Sequence, residues 1–243
     1  MAEKKQPLDK TTSIFLQDIK SIFKDDLISI VLYGSAARGD YFAKKSDINF
    51  LVVLTDSAIN RISDTFNYIK KWTKSNISIP LFLTEHYIAT SVDAFPIEFL
   101  NLKLHHKLLF GKDILSSLEI PDMPLRLKCE EQIKSKLLHL RQNFLLTQGK
   151  KVPMRQLLIQ TIPTLASIFI GLIILKKADV PDSKEQILIN TAHLYGLNEA
   201  VLQQVLDVRM ASIKLSQNEI KFLLHSYIDE LARLSDIIDQ WKN

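Results

Sequence analysis

The pattern of apolar positions divides the chain in two. Up to about residue 121, β-type runs alternate with helical stretches; beyond it the spacing is helical throughout. A first stretch, Thr12 to Phe23, predicts a helix. Leu27-Ile-Ser-Ile-Val-Leu-Tyr33 and Ile48-Asn-Phe-Leu-Val-Val-Leu54 are rich in β-branched and aromatic residues and predict strands. Between residues 57 and 74, the side chains Ile59, Ile62, Phe66, Ile69 and Trp72 fall on helical spacing. Ile77 to Leu83 predicts a third strand, and Thr84 a cap for a short helix to about Thr90. Phe95 to Lys103 and Lys107 to Phe110 are further strand candidates. The second part predicts helices over roughly 124–147, 153–176, 183–195, 199–210 and 217–241. Asp182 with Glu185, and Ser216 with Glu219, have the spacing of capping boxes, and Gly196 suits a left-handed helix end. The expectation is an α+β chain: a mixed-sheet domain over 1–121, then an all-α helical bundle over 122–243, with Ile120-Pro-Asp-Met-Pro124 as the boundary.

Composition narrows the class. An apolar fraction of 47% and a charged fraction of 24% over 243 residues are ordinary for a globular protein. They exclude a disordered, collagen-like or disulfide-scaffolded chain. Cys129 is a single cysteine, and no Cys/His cluster suggests zinc. A reducing, cytoplasmic location is therefore expected, and no apolar run follows Met1-Ala-Glu-Lys-Lys to make a signal peptide. The twenty residues Gln156 to Leu175 carry no charge, enough by length to span a bilayer. Their Gln, Thr, Ser and Pro residues favour a buried helix instead.

The formal charge is +4, and its excess is local: from Arg126 to Arg155 eight basic residues face only Glu130 and Glu131. Such a concentration favours an anionic ligand. On the predicted helix, Ile133, Leu137, Leu140 and Phe144 form the core stripe, and Lys134 and Arg141 lie together on one flank with Leu138 and Leu145. Leu138 and Leu145 suggest a covered flank, so Lys134 and Arg141 are candidates for binding a ligand's phosphates. A solvated helix face is the alternative.

One segment carries chemistry. Val31-Leu-Tyr-Gly-Ser-Ala-Ala-Arg38 reads as a strand, a turn and a helix start, and Ser46-Asp-Ile-Asn-Phe50 as the entry to the next strand. Gly34 lets the backbone approach a ligand, and Ser35 offers a hydroxyl and an amide where phosphates are favoured. Arg38 pairs with phosphate oxygens, and Asp47 is an oxygen ligand suited to magnesium.

Tyr33-Gly34-Ser35, eleven residues, then Asp47-Ile48-Asn49-Phe50 resembles the nucleotidyltransferase superfamily of the DNA polymerase beta type. The wording Gly-Ser-Ala-Ala-Arg-Gly is most similar to its minimal and aminoglycoside-type branch, which carries a helical C-terminal domain. The resemblance implies a nucleoside triphosphate, magnesium held by carboxylates, and transfer to a small hydroxylated acceptor bound between the domains. It implies Gly34, Ser35 and Arg38 at the nucleotide and Asp47 on the metal. Asn49 stands where the pattern has a second carboxylate, and the strand that should supply a third, Ile77-Ser-Ile-Pro-Leu-Phe-Leu83, has no acid. Glu98 is the substitute metal ligand, with Glu85 behind it. The alternative from another class is a catalytically degenerate member, a nucleotide-binding or regulatory module; Asn49 and Pro80 are the residues that separate the two. His105 and His106, if in a strand, face opposite sides, and are expected at a surface turn. Lys44 and Lys45 are expected in a solvated loop. No aromatic-basic interleaving points to nucleic acid, and nothing in the sequence names the acceptor or the oligomeric state.

Overall fold

The computed structural model describes residues 6–38 and 47–241. It divides into two compact units, 1–120 and 121–243. Lys44, Lys45 and Ser46 lie outside the described residues.

The first unit runs α1 (Gln6–Phe23), β1 (Leu27–Tyr33), α2 (Ser35–Arg38), β2 (Asn49–Leu54), a 3-10 segment (Ile59–Thr65), α3 (Phe66–Lys74), β3 (Leu81–Thr84), α4 (Glu85–Ser91), α5 (Pro96–Leu104) and β4 (His106–Gly111). Four strands form one mixed sheet in the order β3-β2-β1-β4. β1 pairs antiparallel with both β2 and β4, and β2 pairs parallel with β3.

Both sheet faces are covered, which is why β1 and β2 are near-continuous apolar runs instead of alternating ones. On one face Ile30, Leu32, Phe50 and Val52 pack with Phe15, Ile19 and Phe23 of α1 and Trp72 of α3. Phe15 stacks on Phe50 with centroids 4.1 Å apart. On the other face Val31, Leu51 and Val53 pack with Ile88 of α4 and with Phe99 and Leu102 of α5. Each large side chain so buried is worth roughly 1.5–3 kcal/mol.

Four expectations are corrected here. Residues 95–103 form helix α5: Pro96 occupies its first turn, where a missing N–H costs nothing, and Phe99 N–H bonds back to Phe95 O at 3.0 Å. The stretch 57–74 is not one helix but a 3-10 segment running into α3, and Ile62 and Phe66 are exposed. The third strand is broken. Ile77 bridges Ile48 alone, and regular pairing begins only at Leu81, because Pro80 has no N–H to give a ladder. His106 is not at a surface turn: it opens β4 with its side chain 9% exposed, Nδ1 3.0 Å from Lys103 O and Nε2 3.2 Å from Asp113 Oδ1. The Thr84 cap is present, its side chain accepting from Tyr87 N–H at 3.1 Å.

The second unit is five helices: α6 (Asp122–Leu146), α7 (Lys151–Leu175), α8 (Lys184–Tyr195), α9 (Glu199–Met210) and α10 (Gln217–Gln240). α7 is the centre, in contact with the other four. By length and composition it is apolar enough to cross a membrane; here its residues from Ile168 to Ile173 are buried among the neighbouring helices. Ser216 and Glu219 form the expected capping box, and Gly196 ends α8 at φ 64°. The α8 cap falls one residue later than Asp182: Ser183 Oγ accepts from Gln186 N–H at 3.1 Å.

Candidate functional site

The strand-turn-strand segment lies at one end of the sheet. β1 ends at Tyr33, and Gly34 follows at φ +75°, a left-handed conformation that side chains resist. The N–H groups of Ala37 and Arg38 both bond to Gly34 O, at 3.2 and 3.1 Å, and close the single turn of α2. The chain returns at Asp47, which is exposed, and enters β2 at Asn49.

Asn49 is the register partner of Tyr33, which is in turn the partner of His106. Directly paired antiparallel residues share a face, so Asn49, Tyr33 and His106 form a polar row across β2, β1 and β4. Burial pushes the Tyr33 hydroxyl above its ordinary value, so it stays neutral at physiological pH.

Asn49 is held by a residue outside the motif. Ser78 Oγ donates to Asn49 Oδ1 at 2.6 Å, and Ser78 N–H bonds to Ile48 O at 3.1 Å. Ser78 was not singled out from sequence, where it is one small residue in a strand noted for lacking an acid. Its role appears only when the Ile48–Ile77 bridge sets it beside Asn49.

The acids do not assemble as the carboxylate pattern implies. Glu98 sits in the first turn of α5, exposed, and not on a strand aimed at the sheet centre. Glu85 pairs with Lys112 at the start of α4. Among the described residues no three of the His, Cys, Asp and Glu side chains are grouped to hold a metal ion. Among the described residues the donor set therefore does not fit the two-ion centre that the resemblance implies. It retains one acid of the motif, Asp47, beside a neutral amide whose oxygen is already engaged.

In the helical unit, Lys134 pairs with Glu130 Oε1 at 2.6 Å and Asp239 Oδ1 at 2.9 Å. Those bonds hold the ammonium above its ordinary value. Arg141 is exposed. Ile133, Leu137 and Leu140 are buried as expected, but Leu138 is 62% and Leu145 80% exposed, so the flank shared with Lys134 and Arg141 is open to solvent rather than covered. The periodicity locates the buried stripe but says nothing of how wide the cover over it is. A cavity of about 720 Å³ between α8 and α9 is bordered by Glu185, Asn190, His193 and Glu199 and carries none of the motif.

Three comparisons bear on this geometry. Residues 13–99 match the family of the nucleotidyltransferase domain, a span that runs from α1 through the Gly34-Ser35 turn and Asp47 into α5. A solved structure, spectinomycin adenyltransferase AAD(9) from Enterococcus faecialis with ATP and spectinomycin, is similar over 92% of this chain and 99% of its own, with a TM-score of 0.53 and 12% identity. At that identity the likeness is one of fold. A comparison with curated proteins finds no match.

Proposed function

We propose, for a chain that carries a nucleotidyltransferase domain over residues 13–99 on a minimal nucleotidyltransferase-type fold, that it binds a nucleoside triphosphate at Gly34, Ser35 and Arg38. The reaction that goes with this fold is transfer of the nucleotidyl group to a small hydroxylated acceptor. The observation that carries the reading is the turn itself: the family match spans it, and its glycine stands at φ +75° between the end of β1 and the head of β2. A backbone bare of side chain at that point admits phosphate oxygens. Arg38, exposed one turn on, supplies positive charge for them. The solved neighbour was determined with ATP and spectinomycin, which supports a nucleotide and a small hydroxylated molecule as the ligand classes to try first.

The Ser78–Asn49 hydrogen bond favours a second reading, a nucleotide-binding module without fast chemistry. Two-ion phosphoryl transfer depends on neutralising the triphosphate's charge, and among the described residues the approach to β2 offers Asp47 alone. Magnesium then enters as the counter-ion of the triphosphate.

Calorimetric titration with nucleoside triphosphates tests both readings, followed by pyrophosphate release in the presence of a panel of hydroxylated acceptors. Micromolar triphosphate binding with acceptor-dependent release supports the transferase. Binding without release, recovered in Asn49→Asp, supports the module. Failure to bind any triphosphate overturns both.

A further inference from the structure

We infer that this chain meets the phosphates of its ligand with an amide N–H of Asn49, aimed by Ser78, at the position where the resemblance implies a cation-holding carboxylate. The inference rests on the nucleotide-binding reading above and specifies how that site recognises polyphosphate.

The orientation of the carboxamide follows from one proton. Ser78 Oγ lies 2.6 Å from Asn49 Oδ1 and 3.3 Å from Ile48 O. A hydroxyl carries a single hydrogen. A separation of 2.6 Å is usual for O–H···O and short for N–H···O. The proton therefore lies on the shorter contact, Oδ1 is the acceptor, and Nδ2 is turned the other way. What lies that way is Gly34. A Cβ built on Gly34 would stand 3.0 Å from Asn49 Nδ2, and among the described residues, its chain neighbours aside, nothing but the same side chain comes within 4 Å of it. Asn49 is partly exposed, and among the described residues its Nδ2 has no hydrogen-bond partner.

The consequence is a change of sign at that atom. A carboxylate at position 49 would present a charged oxygen to the Gly34 turn and would repel a triphosphate until a cation came between them. The amide presents two protons and no charge, so it donates to anionic oxygen directly. Ser78 does not touch the ligand in this arrangement; it is a positioning residue that acts through Asn49.

The test is calorimetry of ATP and of inorganic tripolyphosphate, each in magnesium and in EDTA, on the intact chain and on Asn49→Asp, Ser78→Ala and Ser78→Thr. Circular dichroism checks that each variant is folded. For the unaltered chain, affinities in the two buffers are expected within about tenfold of each other. Asn49→Asp is expected to raise the dependence on magnesium at least tenfold further. Ser78→Ala should weaken tripolyphosphate in EDTA threefold or more, Ser78→Thr should restore it, and adenosine binding should not move in any of them. A loss of more than tenfold in EDTA for the unaltered chain overturns the inference and leaves nucleotide binding standing. So does an unchanged magnesium dependence in Asn49→Asp. Equal losses for adenosine and tripolyphosphate in Ser78→Ala make Ser78 merely structural and overturn its role. No binding of either ligand in either buffer removes the nucleotide reading itself.

Discussion

Asn49 Nδ2 lies where it would meet a Cβ on Gly34 at 3.0 Å, so any side chain at position 34 would crowd the carboxamide. Gly34→Ala should therefore act twice. It strains a residue at φ +75°, a conformation that costs an L-residue on the order of 1–2 kcal/mol, and it fills the gap in front of the amide. We expect ATP affinity to fall at least tenfold while the melting temperature drops by only a few degrees. An unchanged affinity in the folded variant would place the ligand elsewhere.

Arg38 and Lys134 should separate. Arg38→Ala is expected to weaken ATP about tenfold or more, worth roughly 1.4 kcal/mol, and adenosine less than twofold. Lys134 already serves Glu130 and Asp239, so Lys134→Gln should leave ATP affinity within twofold. Titrations of the two variants and of Arg141→Gln under one buffer decide whether the basic helix takes part.

The Asp113 carboxyl is held below its ordinary value, first by the Ser116 hydroxyl, then by the Ser116 N–H and His106. A depressed carboxyl stabilises the fold above its unfolded pKa, near 4, and that stability is lost as pH falls through the folded value. Asp113→Asn should cost on the order of 0.5 kcal/mol at pH 7, a modest figure because the group is partly solvated. Urea unfolding at pH 7, 5 and 3 should show the gap between parent and variant closing only at the lowest pH.

Of the glycines in the helical unit, Gly171 has the tightest surroundings. A Cβ there would stand 2.8 Å from Cys129 Sγ and 3.2 Å from Leu125 Cδ1. Gly171→Ala should destabilise by about 1–3 kcal/mol through overpacking, and adding Cys129→Ala should recover part of that loss. Cys129 itself should resist thiol reagents in the folded state, since burial pushes its thiol up to about 12.

The five long helices were legible because each carries an uninterrupted apolar stripe with polar or glycine punctuation at its ends. β1 was legible to the residue, since Leu27 to Tyr33 is apolar on both covered faces and Gly34 stops it. The failures lie where the local pattern misleads or is silent. In Phe95-Pro-Ile-Glu-Phe99 a two-residue alternation mimicked a strand, although Pro96 suits the first turn of a helix. Without that strand, Glu98 lost the reason for placing it at the metal. Ser78 could not be found by any local pattern, because its meaning is a cross-strand neighbour. His106 looked like part of a turn because its partners, Lys103 O and Asp113, reach its ring only in the folded chain, where it opens β4 after α5.

The position of α7 also has a bearing on how the chain is made. It is covered from both sequence directions, by α6 before it and by α8, α9 and α10 after it, and α10 begins about forty residues beyond its end. During synthesis a helix whose last twenty residues carry no charge, and which is long enough to cross a bilayer, thus leaves the ribosome before its last partner is complete. Until α10 docks, the face of α7 that it covers stays open to water. A chain cut or stalled between α7 and α10 would keep that surface open, and should be prone to aggregate or to partition onto apolar surfaces.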